Sequence, residues 1–164
     1  MATLAEIQDD INDLAFAHSH TVPMKFYPEA WGAAVNSSHT WMSFPFPPVK
    51  RDAVPKEPGV YAFVVKSDLF DFPFAAGLFY VGKATCLYER ISEYIGEQNH
   101  RFVDSTRPYI WRMVNQWRGH LLYFYTITAD AASAEQLEDK MISAFRPHFN
   151  RKFEATVSKT MRAF

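Results

Sequence analysis

The chain has 164 residues, a formal net charge of −1 and 48% hydrophobic residues, which suits one domain with an extension rather than two domains. A single cysteine, Cys86, excludes an internal disulfide and a cysteine-only zinc site. No apolar run approaches the ~20 residues of a membrane helix, and the start Met1-Ala2-Thr3-Leu4 lacks a basic-then-apolar signal pattern, so a cytoplasmic chain with no membrane partner is expected.

Residues 3–16 read as a helix. Thr3 and Glu6 form a capping-box pair. Leu4, Ile7, Ile11, Leu14 and Ala15 make an apolar stripe, with Asp9, Asp10 and Asp13 facing away. Residues 17–57 read as an irregular arm, because Pro23, Pro28, Pro45, Pro47, Pro48 and Pro55 interrupt it. Trp31, Trp41, Phe44 and Phe46 are too apolar for a disordered linker, so the arm is expected on the domain surface or in a subunit contact.

Gly59 to Lys66 reads as a strand, then residues 67–77 as a loop with an apolar tip (Phe70, Phe72, Phe74), and Leu78 to Gly82 as a second strand. A helix is expected from Thr85 to Ile95, ended by Gly96, and another over residues 108–118. Leu121 to Thr128 reads as a third strand. The last helix runs from Ala132 to Phe145, capped by Asp130 or Ser133 and stopped by Pro147. This order implies an α+β fold: a small three-stranded antiparallel sheet flanked by helices, with an N-terminal helix and irregular arm.

Residues 1–50 carry two Lys or Arg against five acids, and residues 83–164 carry twelve against nine. The modest basic excess therefore lies in the later part of the chain, where phosphate affinity would depend on local neutralisation.

Two side chains stand out on their helices. Arg90 and Tyr94 stack at helical spacing beside Leu87 and Ile91. Arg90 is either a surface arginine or a guanidinium placed to grip phosphate oxygens. Glu138 has Ala134, Met141 and Ile142 as helical neighbours, whereas Asp139 neighbours Glu135, Gln136 and Ser143. Glu138 is thus the carboxylate turned inward. It needs a salt bridge to Arg90 or Lys83, or a hard cation such as Mg²⁺.

Gly59-Val60-Tyr61, then Tyr80-Val81-Gly82-Lys83 with Arg90 and Tyr94, then Glu138 twelve residues before Asn150, resemble the GIY-YIG nuclease domain over about residues 58–152. Both excision-repair incision nucleases and stand-alone restriction or phage enzymes belong to that family. The organisation is read as residues 1–57 (helix and arm), 58–152 (nuclease-like domain) and 153–164 (basic tail).

The resemblance implies a metal-dependent endonuclease acting on DNA by a one-metal mechanism. Glu138 would hold Mg²⁺ or Mn²⁺, and Tyr61, Tyr80, Arg90 and Glu138 would be catalytic. Tyr61 is assigned the base-like role and Tyr80 a positioning one. Lys83, Tyr94 and Asn150 would support the site, Asn150 by tying loop to sheet. Lys83, Arg90, Arg151 and Lys152 would contact nucleic acid. RNA stays open as substrate.

Two departures are visible. The tyrosines lie 19 apart, an insertion at 67–77, and Val60 and Val81 replace isoleucine. No second DNA-binding module is evident. A single site cuts one strand, so a homodimer is expected for double-strand cutting. No histidine metal site is expected, since His18 and His20 lack a partner ligand pair. The rival class is a non-catalytic binding or assembly subunit that kept the fold.

Overall fold

The computed structural model describes residues 3–15, 39–65 and 77–150, with side chains of 12–15 left aside. Trp31, the tip Phe70, Phe72 and Phe74, and the basic residues Arg151 and Lys152 lie outside the described residues. Helix α1 spans Leu4–Ala15, β1 Met42–Pro45, β2 Gly59–Val65, β3 Gly77–Ala84, α2 Leu87–Gln98, α3 Pro108–Gln116, β4 Leu121–Ile127 and α4 Ala131–Phe145.

Among the described residues the sheet has four strands rather than three, in the order β1-β4-β2-β3, and every neighbouring pair is antiparallel. The extra strand is β1, in the arm read as irregular. Met42 pairs with Tyr125 and Pro45 with Leu122. A proline survives there because β1 is an edge strand and Pro45 is its last residue. Just beyond, the Phe46 N–H donates to the Leu121 carbonyl at 2.8 Å, and the Phe46 ring is buried against Phe63.

Strand β2 is central and is covered on both faces. Alternation along it sends Tyr61, Phe63 and Val65 to one side and Val60 and Ala62 to the other. The first set packs with Leu87, Ile91 and Tyr94 of α2 and Ile110, Met113 and Val114 of α3. The second packs with Ala134, Leu137, Met141 and Ile142 of α4. Helices thus cover both faces of a thin sheet, and among the described strands β3 lies at one edge.

Register breaks once between β2 and β3. Phe63 faces Tyr80 but Val64 faces Leu78, so Phe79 is the extra residue of a bulge. Phe79 and Tyr80 therefore both pack with the α2–α3 core, whereas Leu78 and Val81 pack with α4. Bulges commonly re-aim a side chain in this way.

Three helical expectations need correction. Asp10 does not face solvent: it is 8% exposed, and its carboxylate accepts the Phe102 N–H at 2.9 Å and lies 3.5 Å from the Arg101 Nε. Leu4, in contrast, is exposed. Helix α2 also runs through Gly96 to Gln98. A glycine costs helix stability, but the extra turn buries Glu97 and Gln98. Ser105 donates to the Glu97 carboxylate at 2.6 Å, and Gln98 donates to the Val114 carbonyl. These contacts lie outside the helix and hold the turn in place.

Candidate active site

The motif residues converge at the β3 edge of the sheet. A cleft of about 370 Å³ is lined by Tyr61, Tyr80, Lys83, Arg90, Arg107, Ile110, Glu138, Ile142, Phe149 and Asn150. It wraps around the edge of β3. Tyr61, Tyr80, Arg90 and Arg107 reach it from the α2–α3 side, and Lys83, Glu138 and Ile142 from the α4 side.

Gly82 makes the first half of this arrangement possible. It faces Tyr61 across the β2–β3 pair. A Cβ at Gly82 would lie 2.3 Å from the Tyr61 hydroxyl and 2.9 Å from the Tyr80 ring. Only a residue without a side chain lets both rings lie over the strand. Tyr61 is fully buried, and its hydroxyl shares a 2.8 Å hydrogen bond with the Tyr94 hydroxyl of α2. Burial, then the neighbouring Tyr94 and Tyr80 phenols, push Tyr61 well above the usual phenol range. Burial and Tyr80 do the same to Tyr94. Tyr80 differs in being only half-buried.

Helix α2 delivers Arg90 one turn before Tyr94. Its guanidinium bonds Glu93 at 2.6 Å and stays charged at any working pH. Arg107, at the start of α3, bonds the same Glu93 oxygen at 3.1 Å and lies over the Tyr94 ring, 5.4 Å from its centroid. Sequence reasoning missed Arg107. No periodicity links it to Arg90, because the two meet only when α3 packs on α2.

Helix α4 begins at Asp130, whose carboxylate accepts the Ser133 N–H at 2.7 Å, as expected of a cap. Along it Glu135, Gln136 and Asp139 are exposed, while the Glu138 side chain is 16% exposed and faces the cleft. Lys83 reaches across from β3. It bonds Glu135, and its ammonium lies 3.8 Å from the Glu138 Oε2. The hydrogen bond to Glu135 raises the Lys83 pKa against desolvation, so the ammonium stays charged.

The helix ends at Arg146, in the left-handed region at φ 45°, where its N–H donates to the Ile142 carbonyl. That turn sends the chain back along the edge of β3. The Phe149 N–H donates to the Phe79 carbonyl at 2.9 Å. The Asn150 side chain then accepts the Val81 N–H at 2.8 Å and donates to the Val81 carbonyl at 2.7 Å. One amide side chain thus does what a neighbouring strand would do, and it holds β3 beside Tyr80.

The donor chemistry suits a small hard cation. Among the described residues, no group of three or more His, Cys, Asp or Glu is gathered to cage a metal. Magnesium does not need such a cage: it keeps several waters and takes one or two protein carboxylates. Glu138 offers one, in a cleft with room for those waters.

The chain belongs to the GIY-YIG family: the UvrC-like GIY-YIG domain matches residues 57–151, more than half of its length. The GIY-YIG N-terminal endonuclease domain of UvrC from Thermotoga maritima, solved with its catalytic divalent cation magnesium, is similar at 22% identity. That similarity covers 60% of this chain and 88% of that one, with a TM-score of 0.41. A tyrosine-to-phenylalanine mutant of the same Thermotoga maritima domain, also bound to its catalytic divalent cation, is similar at 21% identity, with the same coverage and a TM-score of 0.42. No functionally curated protein matches the chain.

Proposed function

We propose that this chain is a metal-dependent endonuclease that hydrolyses DNA phosphodiester bonds at the β3-edge cleft. The observation that carries this reading is the meeting of Tyr80, Lys83, Arg90 and Glu138 around one cleft from opposite faces of the sheet. A purely structural ion-pair network would have no reason to leave them around an open cavity beside a phenol.

Glu138 would hold the Mg²⁺ or Mn²⁺ ion. When bound, that cation supplies Lewis-acid polarisation of the phosphate and charge for the departing oxygen. Arg90 grips the phosphate and offsets the negative charge that grows as water adds. Lys83 adds a fixed positive charge beside Glu138 and, through Glu135, ties β3 to α4. In the reaction the water oxygen bonds to phosphorus and the bond from phosphorus to one sugar oxygen breaks. That oxygen takes up a proton, and the water loses one to solvent.

The base-like role expected of Tyr61 fits its surroundings poorly. Its hydroxyl is committed to Tyr94, and burial holds its proton on. We assign the water-orienting role to Tyr80, whose phenol is half-buried at the cleft. Tyr61 and Tyr94 act as a brace beneath it.

The test is incubation of purified protein with supercoiled plasmid and Mg²⁺ or Mn²⁺, beside Glu138→Ala. Nicking or linearisation that needs both the metal and Glu138 supports the proposal. Cutting that survives Glu138→Ala removes it. DNA binding without cutting by either protein favours the non-catalytic subunit.

A further inference from the structure

Among the described residues, Arg107 is the one cation lining the cleft that the motif does not include. Its position is electrostatically awkward. It occupies the N-cap of α3 and makes no side-chain cap bond, and a cation at a helix N-terminus adds to the positive end of the dipole. Its guanidinium lies over the Tyr94 ring, yet it also lines the cleft and stays one-third exposed, so its nitrogens are available to a further partner there. What balances the charge is Glu93. A single carboxylate oxygen accepts from Arg90 at 2.6 Å and from Arg107 at 3.1 Å. The two guanidinium nitrogens therefore lie within about 6 Å of each other. Two arginines converging on one anionic oxygen at a cleft wall is the geometry with which proteins hold phosphate.

We infer that Arg107 and Arg90 form a paired clip for a backbone phosphate of the nucleic-acid strand, and that the Glu93 carboxylate is its internal stand-in. The clip rests on the nuclease reading of the cleft. The phosphate displaces Glu93 from the pair, so binding trades a partly exposed internal ion pair for contacts with the strand. Exposed pairs of this kind are weak, which makes the exchange easy. The Glu93 side chain is half exposed. Arg107 acts on substrate binding, whereas Arg90 acts on binding and on the rate.

The experiment is a salt titration of binding to a fluorescent DNA duplex and to the equivalent RNA, in chelator so that nothing is cut. The slope of log Kobs against log salt counts the phosphates neutralised, at about 0.9 per contact on duplex DNA. Arg107→Gln is expected to flatten that slope by about that amount, and Arg107→Lys to retain it. Glu93→Gln is expected to bind roughly two- to five-fold tighter at fixed salt, the size of one partly exposed charge pair. In cutting assays Arg107→Gln should raise KM and leave kcat nearly unchanged.

A merely structural Arg107 would weaken binding through lost folding and leave the slope as it was. An unchanged slope in folded Arg107→Gln overturns the clip and leaves the nuclease reading intact. Weaker binding by Glu93→Gln overturns the stand-in role, and this measurement stands even if Arg107→Gln fails to fold. No binding by the parent chain to either nucleic acid overturns the clip, and the nuclease reading is then decided separately by the plasmid assay with metal.

Discussion

Replacing Asn150 with alanine isolates the device that completes the edge of β3. The side chain makes two hydrogen bonds to one residue, Val81, which is fully buried, and Asn150 itself is 7% exposed. Truncation leaves the Val81 N–H and carbonyl without these partners. An orphaned buried polar group costs about 1–3 kcal/mol, so two give about 2–6 kcal/mol. Water can reach the pair from the adjoining cleft, which favours the lower half, about 2–4 kcal/mol. For a chain of this size that corresponds to a fall in Tm of roughly 5–15 °C. Urea and thermal unfolding followed by circular dichroism measure it.

Asn150→Asp sharpens the test. A carboxylate can accept the Val81 N–H but repels the Val81 carbonyl, so the folded state favours the protonated acid. The folded pKa of that new carboxyl is then raised and the native state binds more protons. Stability of Asn150→Asp should rise as pH falls from about 7 toward the acid's ordinary range near 4, relative to Asn150→Ala at each pH. A loss under about 0.5 kcal/mol for Asn150→Ala, typical of an inconsequential surface change, would refute the reasoning. So would parallel pH profiles for the two variants.

Two glycines should respond in opposite directions to alanine. At Gly82 the new Cβ collides with Tyr61, so Gly82→Ala should cost about 1–3 kcal/mol in unfolding experiments and abolish cutting. At Gly96 a Cβ meets nothing within 4 Å, so Gly96→Ala should stabilise by about 0.5–1 kcal/mol with activity retained. Alkaline pH probes the tyrosine cluster. Burial raises Tyr61, Tyr94 and Tyr123 above the ordinary phenol value, so their contribution to stability is complete below about pH 10 and is lost as pH rises past it. Tyrosinate absorbance of these groups should therefore appear together with loss of the far-ultraviolet dichroism, and ionisation in a still-folded chain would contradict the burial.

Local patterns carried much of this protein in its sequence. The Thr3–Glu6 box, the Asp130 cap and the inward turn of Glu138 each depend on residues three or four apart, and all three are present in the structure. The strand and helix order was legible for the same reason, since hydrophobic period reports which face is buried. The family motif was legible because its glycines, Gly59 and Gly82, are demanded by close backbone and ring contacts.

Pairing between distant segments was not legible. Strand β1 exists because β4 offers it a free edge, and nothing in its proline-rich surroundings announces that. Asp10 is buried because the Phe102 N–H and Arg101 lie opposite it, some ninety residues along the chain. Arg107 reaches Glu93 only through the packing of α3 on α2. The cleft itself straddles β3, with contributions from both faces of the sheet, and no period along one strand describes two faces meeting around an edge. Sequence alone settles the inward turn of residues such as Glu138, because that is decided within a turn or two of backbone, but not that of Asp10 or Leu4, which packing against other segments reverses. Which side chains share a site is decided by long-range packing, where a bulge at Phe79, a left-handed Arg146 and one asparagine amide set the geometry.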